Sequence, residues 1–184
     1  KQFGNNMSSQ ALLKKAQSLH QQGNYTHALE IYQEILTQDP DHAAATHLIA
    51  ILYAQLHQYK KAIEYADKAI LIEPDNAVFH NTAGNIYAAQ KNIETSISCY
   101  QKAITLDSNY AIAYNNLANQ FYRQDNYDAA KKAYQDAISI DKNYVDAYYN
   151  LALLLIKQNE IDNAITKLNH ALTLKPNHTQ AHYQ

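Results

Sequence analysis

The sequence predicts an all-α protein, a solenoid of antiparallel helix pairs, and three observations carry that expectation. Along its 184 residues the chain repeats itself every 34: Pro40, Pro74 and Pro176 stand 34 and then three times 34 residues apart. Two registers of small residues keep the same period, Ala16, Ala50, Gly84, Ala118 and Ala152 in one, and Ala28, Ala62, Ser96, Ala130 and Ala164 in the other. A fixed period of this size is the mark of stacked supersecondary units. Third, 3 Gly and 3 Pro are too few for the many tight turns of a sandwich or barrel.

Taken in order, residues 1–8 read as a leader or appended residues, with a native start at Met7, the one methionine. Five repeats follow, at 9–42, 43–76, 77–110, 111–144 and 145–178. Each is predicted to hold two helices of about 13 residues, ~20 Å long, with a turn at positions fourteen to seventeen. The turns are 22–25, 56–59, 90–93, 124–127 and 158–161, ending on Tyr25, Tyr59, Ile93, Tyr127 and Ile161. The small residues at positions eight and twenty let the paired backbones approach closely. Tyr32, Tyr100, Tyr134 and Leu168, at position twenty-four, fill the space beside them. Between repeats, Asp41, Asp75, Asn109, Asn143 and Asn177 stand just before the next helix, where a short side-chain acceptor caps free amides. Residues 179–184 match the opening of a sixth repeat or a capping helix, with Ala181 in the place of Ala45, Ala113 and Ala147. Because a solenoid needs a polar cap on its last unit, a longer natural protein is expected.

Small residues at positions eight, twenty and mostly twenty-seven, aromatics at eleven, seventeen and twenty-four, and Pro at thirty-two make residues 9–178 resemble the tetratricopeptide repeat family. The departures are local: Ile35 stands where the other repeats have Ala69, Ala103, Ala137 and Ala171, and Ser108 and Lys142 replace Pro. The resemblance implies a right-handed superhelix in which the first helix of each repeat lines a concave, ligand-binding surface. It also implies a protein or peptide partner.

Positions two, five, six, nine, twelve and thirteen of each first helix share one stripe, because they are separated by threes and fours. In repeat 3 that stripe carries Asn81, Thr82 and Asn85; in repeat 4, Asn115, Asn116, Asn119, Tyr122 and Arg123; Asn150 continues it into repeat 5. A carboxamide both donates and accepts, so a row of them can hold the backbone of an extended peptide without reading its side chains. The row is similar to the asparagine ladder in the repeat region of O-linked N-acetylglucosamine transferases. Only Asn116 and Asn150 occupy the ladder position; Lys14, Leu48 and Thr82 stand there in the other repeats. On either side the stripe turns apolar, with Leu48, Ile51 and Ala54 in repeat 2 and Tyr149, Leu153 and Ile156 in repeat 5. These read either as pockets for hydrophobic anchors of a ligand or as groups covered by neighbouring helices. A clamp for acidic tails would need cations where Asn81, Asp146 and Asn150 stand, which leaves Arg123 and Lys157 as the cations available to an acidic group.

Several functions are disfavoured. Lys+Arg 15 against Asp+Glu 17 gives no basic field for nucleic acid. The longest wholly apolar run, 151–156, is far short of the ~20 residues a membrane helix needs. Gly4, Gly23 and Gly84 cannot form a phosphate loop, no HExxH is present, and His178 and His182 have no third metal ligand in view. No cofactor or metal is expected. Cys99, the single cysteine, reads as a small buried residue in a reducing, cytoplasmic setting. The expected function is a non-catalytic scaffold that binds an extended peptide or flexible protein segment. The alternative is the targeting region of a larger enzyme, a glycosyltransferase or methyltransferase, with its catalytic domain beyond Gln184. A third reading is self-association through the C-terminal edge.

Overall fold

The computed structural model describes residues 8–175. Outside them lie Pro176, the cap expected at Asn177, the pair His178 and His182, and the expected start of a sixth repeat. Among the described residues the chain forms ten helices: α1 (Ser9–Gln21), α2 (Tyr25–Gln38), α3 (Ala43–Gln55), α4 (Tyr59–Ile72), α5 (Ala77–Ala89), α6 (Ile93–Leu106), α7 (Ala111–Arg123), α8 (Tyr127–Ile140), α9 (Val145–Lys157) and α10 (Ile161–Leu174). The architecture is all-α and built of antiparallel helix pairs. It divides into two compact units between Ile86 and Tyr87, near the end of α5.

In the first unit α1 packs on α2, α2 on α3 and α3 on α4. In the second, α6, α7, α8, α9 and α10 pack each on the next, and α7 also meets α9. The small registers explain the closeness of each pair. Ala16, Ala28, Ala50 and Ala62 are fully buried in the first unit, as are Ala118, Ala130 and Ala152 in the second. In the second unit Ala118, Ala130, Tyr134, Leu151, Ala152 and Leu155 belong to one apolar cluster. Ile35 is also fully buried, so the larger side chain is absorbed at its position.

The turn within each pair uses one device. Gly23, His57, Lys91, Asp125 and Asn159, all at position fifteen, have φ of 78°, 58°, 63°, 56° and 63°. This left-handed residue turns the chain so that the amides after the helix reach back to its last carbonyls. Gly23 N–H donates to His20 O and Asn24 N–H to Leu19 O, and the same pair of bonds recurs at Lys91 and Asn92. The reversal is complete by position sixteen. Tyr25, Tyr59, Ile93, Tyr127 and Ile161, expected to close the turn, instead open the second helix. Asn92 and Asn126 cap α6 and α8, each accepting at 3.3 Å from the amides of Thr95 and Ala129.

Between pairs, the capping expectation is corrected. Asp41, Asp75, Asn109 and Asn143 are not the caps, because the linker uses one residue more. Before α3 the cap is His42, whose Nδ1 accepts from Ala45 N–H at 3.2 Å. Before α5, Asn76 Oδ1 accepts from Val78 N–H. Tyr110 and Tyr144 precede α7 and α9 without a side-chain cap bond. The carboxylates act one step earlier: Asp39, Asp107 and Asp141, each just after a helix, accept from the backbone N–H of Asp41, Asn109 and Asn143. Such a local turn reverses the chain with the acceptor on the residue that ends the helix.

Candidate functional site

The stripe residues of α7 and α9 fall within the second unit, and five of them share a depression. Asn119, Tyr122 and Arg123 from α7, Asn150 and Leu153 from α9, and Tyr134 from α8 line a hollow of about 360 Å³. The first five were expected at the site from helical spacing. Tyr134 was expected only as bulk, and it is 2% exposed. Yet its hydroxyl donates a 2.6 Å hydrogen bond to Asn119 Oδ1, so the buried ring also orients a groove amide. The available signal was a hydroxyl at a position where Ala66 and Leu168 carry none. Burial pushes the Tyr134 phenol well above its ordinary range, which keeps it protonated and a donor.

Asn115 is placed differently from the others. It is 4% exposed, and its Oδ1 accepts from Asn150 Nδ2 at 3.0 Å. It therefore lies beneath the surface and ties α7 to α9. The same register recurs in the first unit, where His47 bonds Thr82 at 2.8 Å, again 35 residues on. Two turns further along the first helices, His20 Nε2 meets Gln55 Oε1, also at 2.8 Å. Positions five and six thus link successive first helices, and a polar pair there satisfies itself.

The remaining expected residues are distributed as follows. Asn81, in the first unit, is 5% exposed, while Asn85 on the same helix is exposed. Asn116 and Tyr149, in the second unit, are half-buried. Leu48, Ile51 and Ala54 are half-buried in the first unit, where the His47 ring lies 4.5 Å from that of Phe79. Burial of His47 lowers its pKa to about 4, against a smaller opposing effect of Glu73. Leu153 is half-buried and Ile156 is 37% exposed.

Among the described residues no carboxylate lines the hollow, and Arg123 supplies a cation. Among the described residues an ion pair joins Lys131 to Glu160 at 2.7 Å, in a separate hollow between α8 and α10 that also involves Asn163 and Lys167. The Lys131 hydrogen bond, followed by that from Asn163, holds the Glu160 carboxyl below its ordinary pKa. Among the described residues no group of three or more His, Cys, Asp or Glu side chains is placed to hold a metal ion. Cys99 is half-buried on α6. No described helix is long and apolar enough to cross a membrane.

Helix pairs recurring every 34 residues, small side chains at their crossings and a left-handed turn in each pair define a helical-repeat protein. Family models agree: one described as tetratricopeptide repeat matches residues 19–86 and 121–184, and one described as TPR repeat matches 84–125. The chain belongs to the tetratricopeptide repeat family.

Solved structures share this fold. PilF of Pseudomonas aeruginosa is 21% identical with a TM-score of 0.86, over 94% of this chain and 79% of that one. MamA is 23% identical with a TM-score of 0.75, over 91% and 97%. YrrB, described as a TPR protein with an unusual peptide-binding site, is 20% identical with a TM-score of 0.69, over 97% and 92%. A comparison with curated proteins found no match.

Proposed function

We infer that the chain is a protein-interaction scaffold that takes an extended peptide or flexible protein segment along the first helices of its repeats. The observation that carries this reading is the hollow lined by Asn119, Tyr122, Arg123, Asn150 and Leu153. Its two amides have complementary free ends. Asn119 has its oxygen bonded to Tyr134 and offers N–H; Asn150 has given an N–H to Asn115 and offers oxygen. One donor and one acceptor in neighbouring helices fit the C=O and N–H of an extended backbone, the grip that the asparagine-ladder resemblance implies.

Leu153 supplies an apolar contact beside them, and in this reading Asn116 and Tyr149 of the same unit, and Asn85 of the first unit, each contribute to the binding stripe of their own unit. Asn115 acts from beneath, by tying α9 to α7, and Asn81 is buried in the first unit. Nothing in this role requires catalysis, and the single Cys99 suits a cytoplasmic setting.

A screen of short peptides against the wild type and Asn119→Ala/Asn150→Ala tests the reading. The double variant is expected to stay folded and to lose affinity for the peptides the wild type selects. Equal binding of the same peptides by both proteins would overturn the assignment.

A further inference from the structure

We propose that the hollow beside Asn119 selects an acidic side chain, Asp or Glu, carried within the bound segment. This rests on the groove-binding reading above and adds to it a chemical preference.

The argument is the uneven polarity of the hollow. The buried Tyr134 hydroxyl occupies the oxygen of Asn119 at 2.6 Å. That bond orients the amide, and what Asn119 has left to offer a ligand is its Nδ2 donors. Arg123 follows one helical turn later on the same face of α7 and lines the same hollow. No carboxylate is among the lining residues, and the ion pair recorded among the described residues joins Lys131 to Glu160, not Arg123. The half-buried Tyr122 adds a third group with a hydroxyl.

Among the described residues, donors from Asn119 and Arg123 meet no carboxylate partner of their own. A carboxylate is an acceptor-only group with two oxygens, and a guanidinium binds it in a planar, charge-assisted way. One lining guanidinium matches the single charge of a carboxylate. Leu153, on the α9 side of the hollow, offers contact to the methylene stem of the same side chain.

The position within the chain follows from Asn150. One of its two Nδ2 hydrogens is given to Asn115, and among the described residues no bond occupies its oxygen, which is left to offer a ligand an acceptor. An acceptor beside the donor cluster suits a backbone N–H flanking the acidic residue, which favours an internal Asp or Glu over a chain terminus.

The test uses the full chain and synthetic extended peptides in matched pairs, one member with Asp or Glu and its twin with Asn or Gln, all with amidated C-termini. A further set carries a free terminal carboxylate and no acidic side chain. Binding is read by fluorescence polarisation, and folding of each variant by circular dichroism.

In the wild type the acidic members should bind about tenfold tighter than their twins, the scale of one charge-assisted hydrogen bond. Arg123→Gln should close that gap, Arg123→Lys should keep part of it, and added salt should narrow it. Equal binding of twins, a gap that survives Arg123→Gln, or preference for the free-terminus set alone would overturn the proposal.

Asn119→Ala/Asn150→Ala separates the two levels. If it weakens all peptides while Arg123→Gln spares the gap, acid selection fails and groove binding stands. If neither variant changes the binding of any peptide, groove binding fails as well.

Discussion

Tyr134 and Asn119 are joined by a 2.6 Å hydrogen bond that connects the interior of a helix pair to the hollow on its surface. The phenol ring lies in the apolar cluster with Ala118, Ala130 and Leu151, while its hydroxyl reaches the groove amide. One side chain therefore serves packing and, in the proposed function, the orientation of a binding amide.

Tyr134→Phe keeps the ring and removes the donor. It should lower stability by about 1 kcal/mol, the net worth of one such bond. It should also free Asn119 to rotate, which weakens peptide binding without unfolding the chain. Urea unfolding and peptide titration of the same variant measure the two effects separately.

Gln120 is 3% exposed, and its Oε1 has no hydrogen-bond partner among the described residues. The equivalent positions in repeats 2, 3 and 5 hold Leu52, Ile86 and Leu154, each almost fully buried. A buried acceptor left unpaired costs about 1–3 kcal/mol, so Gln120→Leu should stabilise the protein by a substantial part of that amount. A rise in the urea midpoint at unchanged slope is the expected result.

The left-handed turn residues give a paired prediction. Lys91 has φ of 63° and carries a side chain through a conformation that suits glycine. Lys91→Gly should raise stability by up to about 1 kcal/mol, the steric relief being partly offset by entropy gained in the unfolded chain. Gly23→Ala should act in the opposite sense. A Cβ there would meet no atom within 4 Å, so the loss measures backbone strain and not a clash.

His47 makes stability depend on pH. Its pKa in the folded protein is about 4, lowered from 6.5 by burial. Below pH 6.5 the unfolded chain takes up a proton that the folded chain refuses. The stabilisation is thus complete above pH 6.5 and is lost as pH falls toward 4, with a limit of about 3 kcal/mol. His47→Leu, which places the residue found at Leu13 in the same position of repeat 1, should remove this component. Comparing the stabilities of wild type and variant at pH 7 and at pH 4.5 isolates it from the titration of the carboxylates.

Much of the fold was legible in the residues because its requirements are local and periodic. A small residue at every crossing of two helices, such as Ala118 or Ala130, admits little but close packing, and five copies make the pattern plain. The turn geometry was less legible. Only Gly23 advertises its left-handed conformation; His57, Lys91, Asp125 and Asn159 adopt it because the helix-ending hydrogen bonds demand it. The caps were displaced by one residue for a similar reason, since Asp39, Asp107 and Asp141 take up the role of turning the chain.

Within the binding stripe, periodicity identifies which face of α7 carries Asn115, Asn119 and Arg123. It does not tell how near the next first helix comes. That distance, settled by side chains far apart in the chain, puts Asn115 under Asn150 and leaves Asn119 in the hollow. The pairing of Asn119 with Tyr134 depends likewise on how α8 folds back against α7. Composition and spacing therefore specify an all-α repeat and its polar stripe, because each repeat restates the same local rule. Which of those amides is spent inside the protein, and which is available to a ligand, is decided by contacts between helices that no local rule contains.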